Sequence, residues 1–281
     1  MASLNRIKRI TANRYKQLKY RLVVTPVGLL KGGYDAKYLF VSHHKCASQY
    51  VAAVLEDVCF LKKIPSVRVN WQSGISGFSL RINKFLLVTD YSADALNLNK
   101  IEGRGFHVIR DPRDILISMY YSHKYSHPIR KGRAGGVEIA RDREVLRTMD
   151  MAGGLRYLMD HSGFFKRACG AMENWDYENT NFYETRFERI TAAPQEDFQR
   201  IFDFIGLDIA PEKLGRILQK HSFQNMRKRW RQSGRTLEHN HYRKGVPGDW
   251  KNYLSQENKQ IFKDRYGGLL VRLGYEKDDN W

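Results

Sequence analysis

Residues 36–42, Ala-Lys-Tyr-Leu-Phe-Val-Ser, form a short apolar run that stops at a polar loop. Residues 48–60 then carry Val51, Val54, Leu55 and Val58 at helical spacing. The run predicts a buried strand and the spacing predicts a helix packed along one face. Strand, short polar loop and helix open a parallel α/β unit. Two more apolar runs, 84–90 and 105–110, predict further buried strands, the second followed by a helix beginning near Pro112. A further strand is expected at 180–184. Helical spacing fills most of 145–173, 194–205, 211–220 and 255–265. The segment 126–143 is rich in Gly and Arg without a clear period. It is expected to be a mobile loop over a site. Residues 64–82 and 126–150 are the expected acceptor loops. Ile7, Ile10, Leu18 and Leu22 among cations predict a weakly amphipathic basic helix over 6–22, which either docks on the domain or lies on a membrane. Gly32-Gly33 breaks the chain after it.

These elements imply an α/β fold, a three-layer domain whose central, mostly parallel sheet has about five strands. The 281 residues, 42% of them hydrophobic, suffice for one large domain or two small ones. No polar low-complexity linker divides them. The expected organisation is therefore a basic extension over 1–30 and a single domain over 31–281. No apolar run reaches transmembrane length, and cations interrupt any signal-peptide core. Cys46, Cys59 and Cys169 are odd in number and show no CxxC spacing. A disulfide framework and a zinc site are both disfavoured, and a reducing cytoplasm is expected. The pair His123 and His127 has the i, i+4 spacing of a metal chelate, but Pro128 follows and no carboxylate or cysteine joins them, so no metal is expected.

The net charge of +18 calls for an anionic ligand, an anionic surface, or both. Residues 1–21 hold seven Lys/Arg and no Asp/Glu, and residues 227–235 hold five cations. Solvated cationic faces explain these clusters equally well. The basic N-terminus leaves open an acidic partner or a membrane surface; no specific nucleic acid is expected.

Three segments can hold anions. The loop 42–49 joins a strand to a helix, whose N-terminus offers unpaired N–H groups and a positive dipole end. Lys45 adds a full charge, and Ser48 and Gln49 add donors. No GxxxxGK occurs, which disfavours a kinase P-loop. In the second segment, Arg110-Asp111-Pro112, Pro112 suits the first turn of a helix, and Ser118 follows two turns in. Arg110 is either an anion ligand or the ion-pair partner of Asp111 or Asp114. The third segment is Arg243-Lys244-Gly245-Val246-Pro247-Gly248-Asp249-Trp250. Two cations stand there beside a glycine, Pro247-Gly248 turns the chain, and Asp249-Trp250 restart it into a polar helix.

Together these segments resemble the sulfotransferases that use 3′-phosphoadenosine 5′-phosphosulfate (PAPS), over roughly residues 36 to 275. Lys45-Cys46-Ala47-Ser48-Gln49-Tyr50 is similar to that family's 5′-phosphosulfate loop, with alanine for the usual glycine and glutamine for the second threonine. The resemblance implies a P-loop-like fold and sulfuryl transfer from PAPS to a hydroxyl or amine, releasing PAP. It implies that the backbone amides of Cys46, Ala47, Ser48 and Gln49 hold the 5′-phosphate. Arg110, Ser118, Arg243, Lys244 and Gly245 would hold the 3′-phosphate. Lys45 would neutralise the leaving oxygen, with Ser118 restraining it. Phe223 would stack on the adenine, while Tyr50 and Tyr183 either reach it or pack in the core. The family's basic histidine is matched by Asp90 in Val88-Thr89-Asp90. Asp90 is then the general base, or else a helix cap or ion-pair partner, and His43, His44 and His123 are further base candidates. A small metabolite is the expected acceptor. A glycan acceptor, a non-catalytic basic nucleotide- or polyanion-binding protein, and a nucleotide kinase are the alternatives.

Overall fold

The computed structural model describes residues 36–69, 84–91, 103–129, 134–232, 244–278 and 280–281. The expected basic helix over 6–22, the break at Gly32-Gly33 and Arg243 lie outside these residues.

Five strands form one sheet: β1 (Tyr38–Ser42), β2 (Ser66–Val69), β3 (Phe85–Thr89), β4 (Arg104–Ile109) and β5 (Phe182–Arg186). Their order is β2-β3-β1-β4-β5, and every pairing is parallel. Strand β1 therefore sits between later strands on both sides, which creates a crevice at its carboxyl end, where open α/β sheets bind ligands. The register brings Ser42 opposite Thr89 and opposite Val108, so the loops after β1, β3 and β4 emerge at one edge.

Alternation within the buried strands decides the layers. Tyr38, Phe40, Phe85, Leu87, Phe106 and Val108 face α1 (Ser48–Lys62) and the helices α7 (Pro194–Ile205) and α8 (Pro211–His221). Leu39, Val41, Leu86 and Val88 face the other way, towards Trp175. A second large core joins α2 (Pro112–Tyr121), α4 (Met151–His161), α5 (Gly163–Glu173) and α10 (Gln256–Arg272). The described residues also include the helices α6 (Phe187–Ala192) and α9 (Phe223–Gln232).

Two expectations are corrected. The acceptor loop at 64–82 begins with β2, a four-residue edge strand whose outward positions escape the apolar pattern. The loop expected over 126–143 starts at the last residue of a π-helical turn, Ser122–Ser126, and its second half belongs to α3 (Ala134–Thr148). Ile139, Asp142 and Leu146 form the buried stripe of α3. An acidic residue at an interior position concealed its helical period.

Candidate functional site

The loop after β1 is held by its own polar groups. Ser42 Oγ donates to Ser48 Oγ at 2.9 Å, and Ser48 Oγ donates to the His43 carbonyl at 2.9 Å. Lys45 and Ala47 adopt left-handed backbone angles, φ 67° and 58°. Ala47, where the resembling family has glycine, is the N-cap of α1 and lacks a side-chain capping bond. The first N–H groups of α1 have no intrahelical acceptor, and Lys45, Ala47, Ser48, Gln49 and Tyr50 line a cavity at this helix start. Cys46 is not part of that lining. Its amide donates to the His43 carbonyl at 3.1 Å, and its thiol is buried, which pushes its pKa up. The turn itself consumes the donor that the sequence had assigned to phosphate. Gln49 lines the cavity, and its side-chain carbonyl accepts from Arg68.

Arg110 and Ser118 line the same cavity, of about 830 Å³. Arg110 Nη1 donates to the Lys45 carbonyl at 3.2 Å, and its guanidinium lies 4.1 Å from the Phe187 ring centroid. The competing acids are engaged elsewhere. Asp111 binds Arg113, and Asp114 accepts from the amides of Gly248 and Trp250. Arg110 Nε is buried and has no hydrogen-bond partner. Burial, reinforced by the Arg110 charge, lowers the pKa of Lys45 to about 7. Two neighbouring cations thus share a recess without a matching carboxylate contact, which is a setting for an anion.

The Arg-Lys-Gly turn meets the same space. Gly245 has φ 67°, and a Cβ there would approach the Phe223 ring to 3.0 Å. Gly245, Lys244 and Phe223 all line the cavity. Lys244 Nζ donates to Asp249 Oδ1 and Tyr253 Oη. The expected polar restart is a single 3-10 turn, Asp249–Asn252.

Tyr50 lines the cavity and packs edge-on to Phe198 at 6.1 Å. Tyr183 does not line it. Its ring packs on Phe204, and its hydroxyl accepts from Arg189. The alternation of β5 decides this, because Tyr183 belongs to the α7 side of the sheet.

Asp90, His44, His127, Ile139 and Phe164 also line the cavity. Asp90 follows β3 directly, with φ 114°. His44 Nδ1 lies 4.0 Å from Asp90 Oδ2, and His44 Nε2 lies 3.2 Å from His123 Nε2. His123 Nδ1 lies 2.9 Å from Asp142 Oδ2. The sequence pointed to Asp90, His44 and His123 but missed Asp142, whose only signal was an acid on the apolar stripe of α3. His43 is turned away. Its Nε2 meets His107 Nε2 at 2.7 Å, and His107 Nδ1 meets Glu184, whose pKa burial raises to about 8. Among the described residues no cluster of His, Cys, Asp and Glu is arranged to hold a metal, and no helix is long and apolar enough to cross a membrane.

The sulfotransferase domain family matches residues 99–274. Mouse sulfotransferase 2A6 is 22% identical over 259 residues, 84% of this chain and 85% of the relative. Rat sulfotransferase 2A1 is 26% identical, covering 81% and 82%. Among solved structures, mouse sulfotransferase SULT7A1 complexed with PAP aligns with a TM-score of 0.62 at 17% identity, over 85% of this chain and 86% of that one. A retinol dehydratase in complex with androsterone and PAP aligns at 0.51 and 15% identity, over 84% and 81%.

Proposed function

Because the chain belongs to the sulfotransferase domain family, and so is an enzyme of sulfuryl transfer, we propose that its cavity binds PAPS and passes the sulfuryl group to a hydroxyl or amine of a small acceptor. The observation that carries this reading is the meeting of three sequence-distant segments, around Lys45, Arg110 and Gly245, in one recess at the N-terminus of α1. The recess suits the donor. The unpartnered Nε of Arg110 and the depressed pKa of Lys45 both call for an anion. When bound, PAPS supplies an activated sulfuryl group and leaves as PAP.

The chain's residues then divide the work. Amides at the start of α1 hold the 5′-phosphate. Lys45 sits where charge grows on the leaving oxygen, and Ser118 restrains it before acceptor arrives. Arg110, Ser118, Lys244 and the Gly245 amide take the 3′-phosphate, joined by Arg243. Phe223, packed against the Gly245 turn, stacks on adenine, with Tyr50 at its edge. The acceptor enters between Ile139 and Phe164, whose apolar walls favour a small, uncharged molecule. Its reacting proton leaves towards Asp90 and His44. Residues 31–281 form the catalytic domain in this reading. The three thiols, none in a disulfide, suit a cytoplasmic location.

Calorimetric titration with PAP, 5′-AMP and ATP tests the reading. Tight binding should require the 3′-phosphate. Arg110→Ala should weaken PAP binding by about 2–3 kcal/mol, or roughly 30- to 150-fold, and leave 5′-AMP binding little changed. Equal, salt-sensitive binding of all three anions would overturn it.

A further inference from the structure

Behind the Lys45 loop lies a buried polar chain that the transfer itself does not use. His43 follows β1, His107 lies on β4 opposite Val41, and Glu184 lies on β5 opposite His107. His43 Nε2 meets His107 Nε2 at 2.7 Å, and His107 Nδ1 meets Glu184 Oε2 at 2.7 Å. Trp175 Nε1 donates to Glu184 Oε1 at 2.7 Å, and the Trp175 ring stacks on His107 with centroids 3.9 Å apart. Both imidazoles are fully buried. Apolar side chains would fill the same space without a desolvation cost, so this run of polar groups calls for a reason. The reason lies where the chain ends. The His43 carbonyl accepts from the Cys46 amide and from Ser48 Oγ, the two bonds that close the loop. The Lys45 carbonyl accepts from Arg110, which directly follows β4. The β4 segment therefore grips the loop on both sides of His44, through a ring at 43 and a carbonyl at 45. Lys45, between left-handed backbone angles and two cations, is the residue so fixed. Such a backbone persists only where its surroundings over-determine it.

Counting protons gives the chain two forms. The Trp175 indole only donates, so Glu184 Oε1 is an acceptor in both. In the first form Glu184 is a neutral acid. Its Oε2–H donates to His107 Nδ1, His107 Nε2–H donates to His43 Nε2, and His43 carries its own proton on Nδ1. Loss of that Nδ1 proton to water reverses both bonds. The His107 Nε2 proton passes to His43 Nε2, the Glu184 proton passes to His107 Nδ1, and Glu184 is left ionised. Both imidazoles stay neutral and both contacts stay made. His43 Nδ1 is buried without a hydrogen-bond partner among the described residues, so neither form is fixed from that end. Burial pushes Glu184 up to about 8, against the Trp175 donation, and holds His107 down at about 3, which favours the first form near pH 7. Tyr91 faces the His43 ring, and Trp175 and Tyr177 face His107. Arg272 lies over Tyr177, and Arg186, further along β5, donates to the carbonyls of Leu273 and Gly274.

We propose that His43, His107 and Glu184 are positioning residues for the transfer, forming a strut that holds the Lys45 loop on β4 and β5 and reverses its hydrogen bonds without breaking them when it loses a proton. This rests on the sulfotransferase reading above, through Lys45. An ion pair in the same place would fail once either partner lost its charge. A neutral imidazole carries one donor and one acceptor that exchange places, so it serves on both sides of the titration. The loop should therefore keep its geometry from pH 6 to 9, leaving Lys45 as the group whose titration PAP feels.

Nitrogen NMR of the full chain labelled at histidine reads the direction of the strut without PAP or acceptor. At pH 7 His107 should be neutral and protonated at Nε2, and His43 at Nδ1. Near pH 9 both protons should have moved to the other nitrogen. In Glu184→Gln neither should move, because the glutamine must turn its carbonyl to Trp175 and its amide then donates to His107 Nδ1 at every pH. Turnover with radiolabelled PAPS and a series of phenols and alkanols reads the positioning. Glu184→Leu and His43→Leu should lower kcat by about 10²-fold and raise the KM for PAPS, with the acceptor KM little changed, since a loop displaced by about 1 Å misplaces Lys45. Glu184→Gln should restore most of both values. A charged His107, a His43 protonated at Nε2 at pH 7, or a Glu184→Gln protein as impaired as Glu184→Leu would overturn the strut. The NMR comparison uses the unmodified chain and its glutamine variant, so it decides the matter even where a leucine variant fails to fold. Calorimetry with PAP separates the two levels. Failure of the unmodified chain to bind PAP removes the donor reading, whereas normal PAP binding and turnover in a folded Glu184→Leu protein remove only the strut.

Discussion

Lys45 concentrates the residue-scale physics of the site. Burial and the Arg110 charge lower its pKa to about 7, and an anionic phosphate beside it would raise that value again. Above pH 7 the free protein holds Lys45 largely neutral, while a complex with PAP keeps it charged. Binding should therefore take up about one proton at pH 8, and affinity should fall as pH rises from 7 towards 9. Titrations in buffers of different ionisation enthalpy check this, with no uptake expected in Lys45→Met. Ala47 is a second case. Its left-handed backbone, φ 58°, costs an L-residue about 1–2 kcal/mol, part of which glycine would return as unfolded-state entropy. Ala47→Gly should stabilise the fold by about 0.5–1 kcal/mol, seen as a higher urea midpoint at unchanged slope. The sequence showed an alanine where the resembling family has glycine. Only the backbone angle shows that the position still demands glycine's conformation.

Between elements, Asp114 joins the start of α2 to the Arg-Lys-Gly turn by accepting from Gly248 and Trp250 at 2.7 and 3.0 Å. Asp114→Ala would leave two amides without their acceptor and free the turn from the helix that follows Arg110. The expected cost is about 1–3 kcal/mol of stability and a roughly tenfold or greater loss of PAP affinity. Thermal unfolding with and without PAP measures both. Asp114→Asn, which retains one acceptor oxygen, should fall between. From sequence, Asp114 was a rival claimant for Arg110, and only the fold shows it engaged over a separation of 134 residues. The same scale accounts for the missed elements. Strand β2 is short and lies on the sheet edge, so it lacks the two-sided apolar run of β1 or β3. Helix α3 hides its period because Asp142 occupies a core position in order to meet His123. In both, position in the tertiary structure and not local propensity chose the residue.

For the molecule as a whole, the net charge of +18 is far more than one nucleotide can match. It should act as a field. The association rate of PAP should fall steeply between low and physiological salt, while the preference for PAP over 5′-AMP, made by Arg110 and its neighbours, should persist. Stopped-flow binding at several ionic strengths separates the two. The run-and-period pattern of the chain by itself determined three of the parallel strands, β1, β3 and β4, because strands buried on both faces must be continuously apolar. It also marked the three candidate anion-binding segments, because cations, glycines and helix starts are local features that suit an anion. Only the tertiary structure decided which residues share the cavity. It admitted Phe223 and Tyr50 and left Tyr183 against Phe204. It drew the Cys46 amide into the turn and set Asp142 behind His123 and His44. Those outcomes depend on strand register, on which face of the sheet a side chain takes, and on where distant hydrogen-bond partners come to rest, none of which is encoded within any short stretch of the chain.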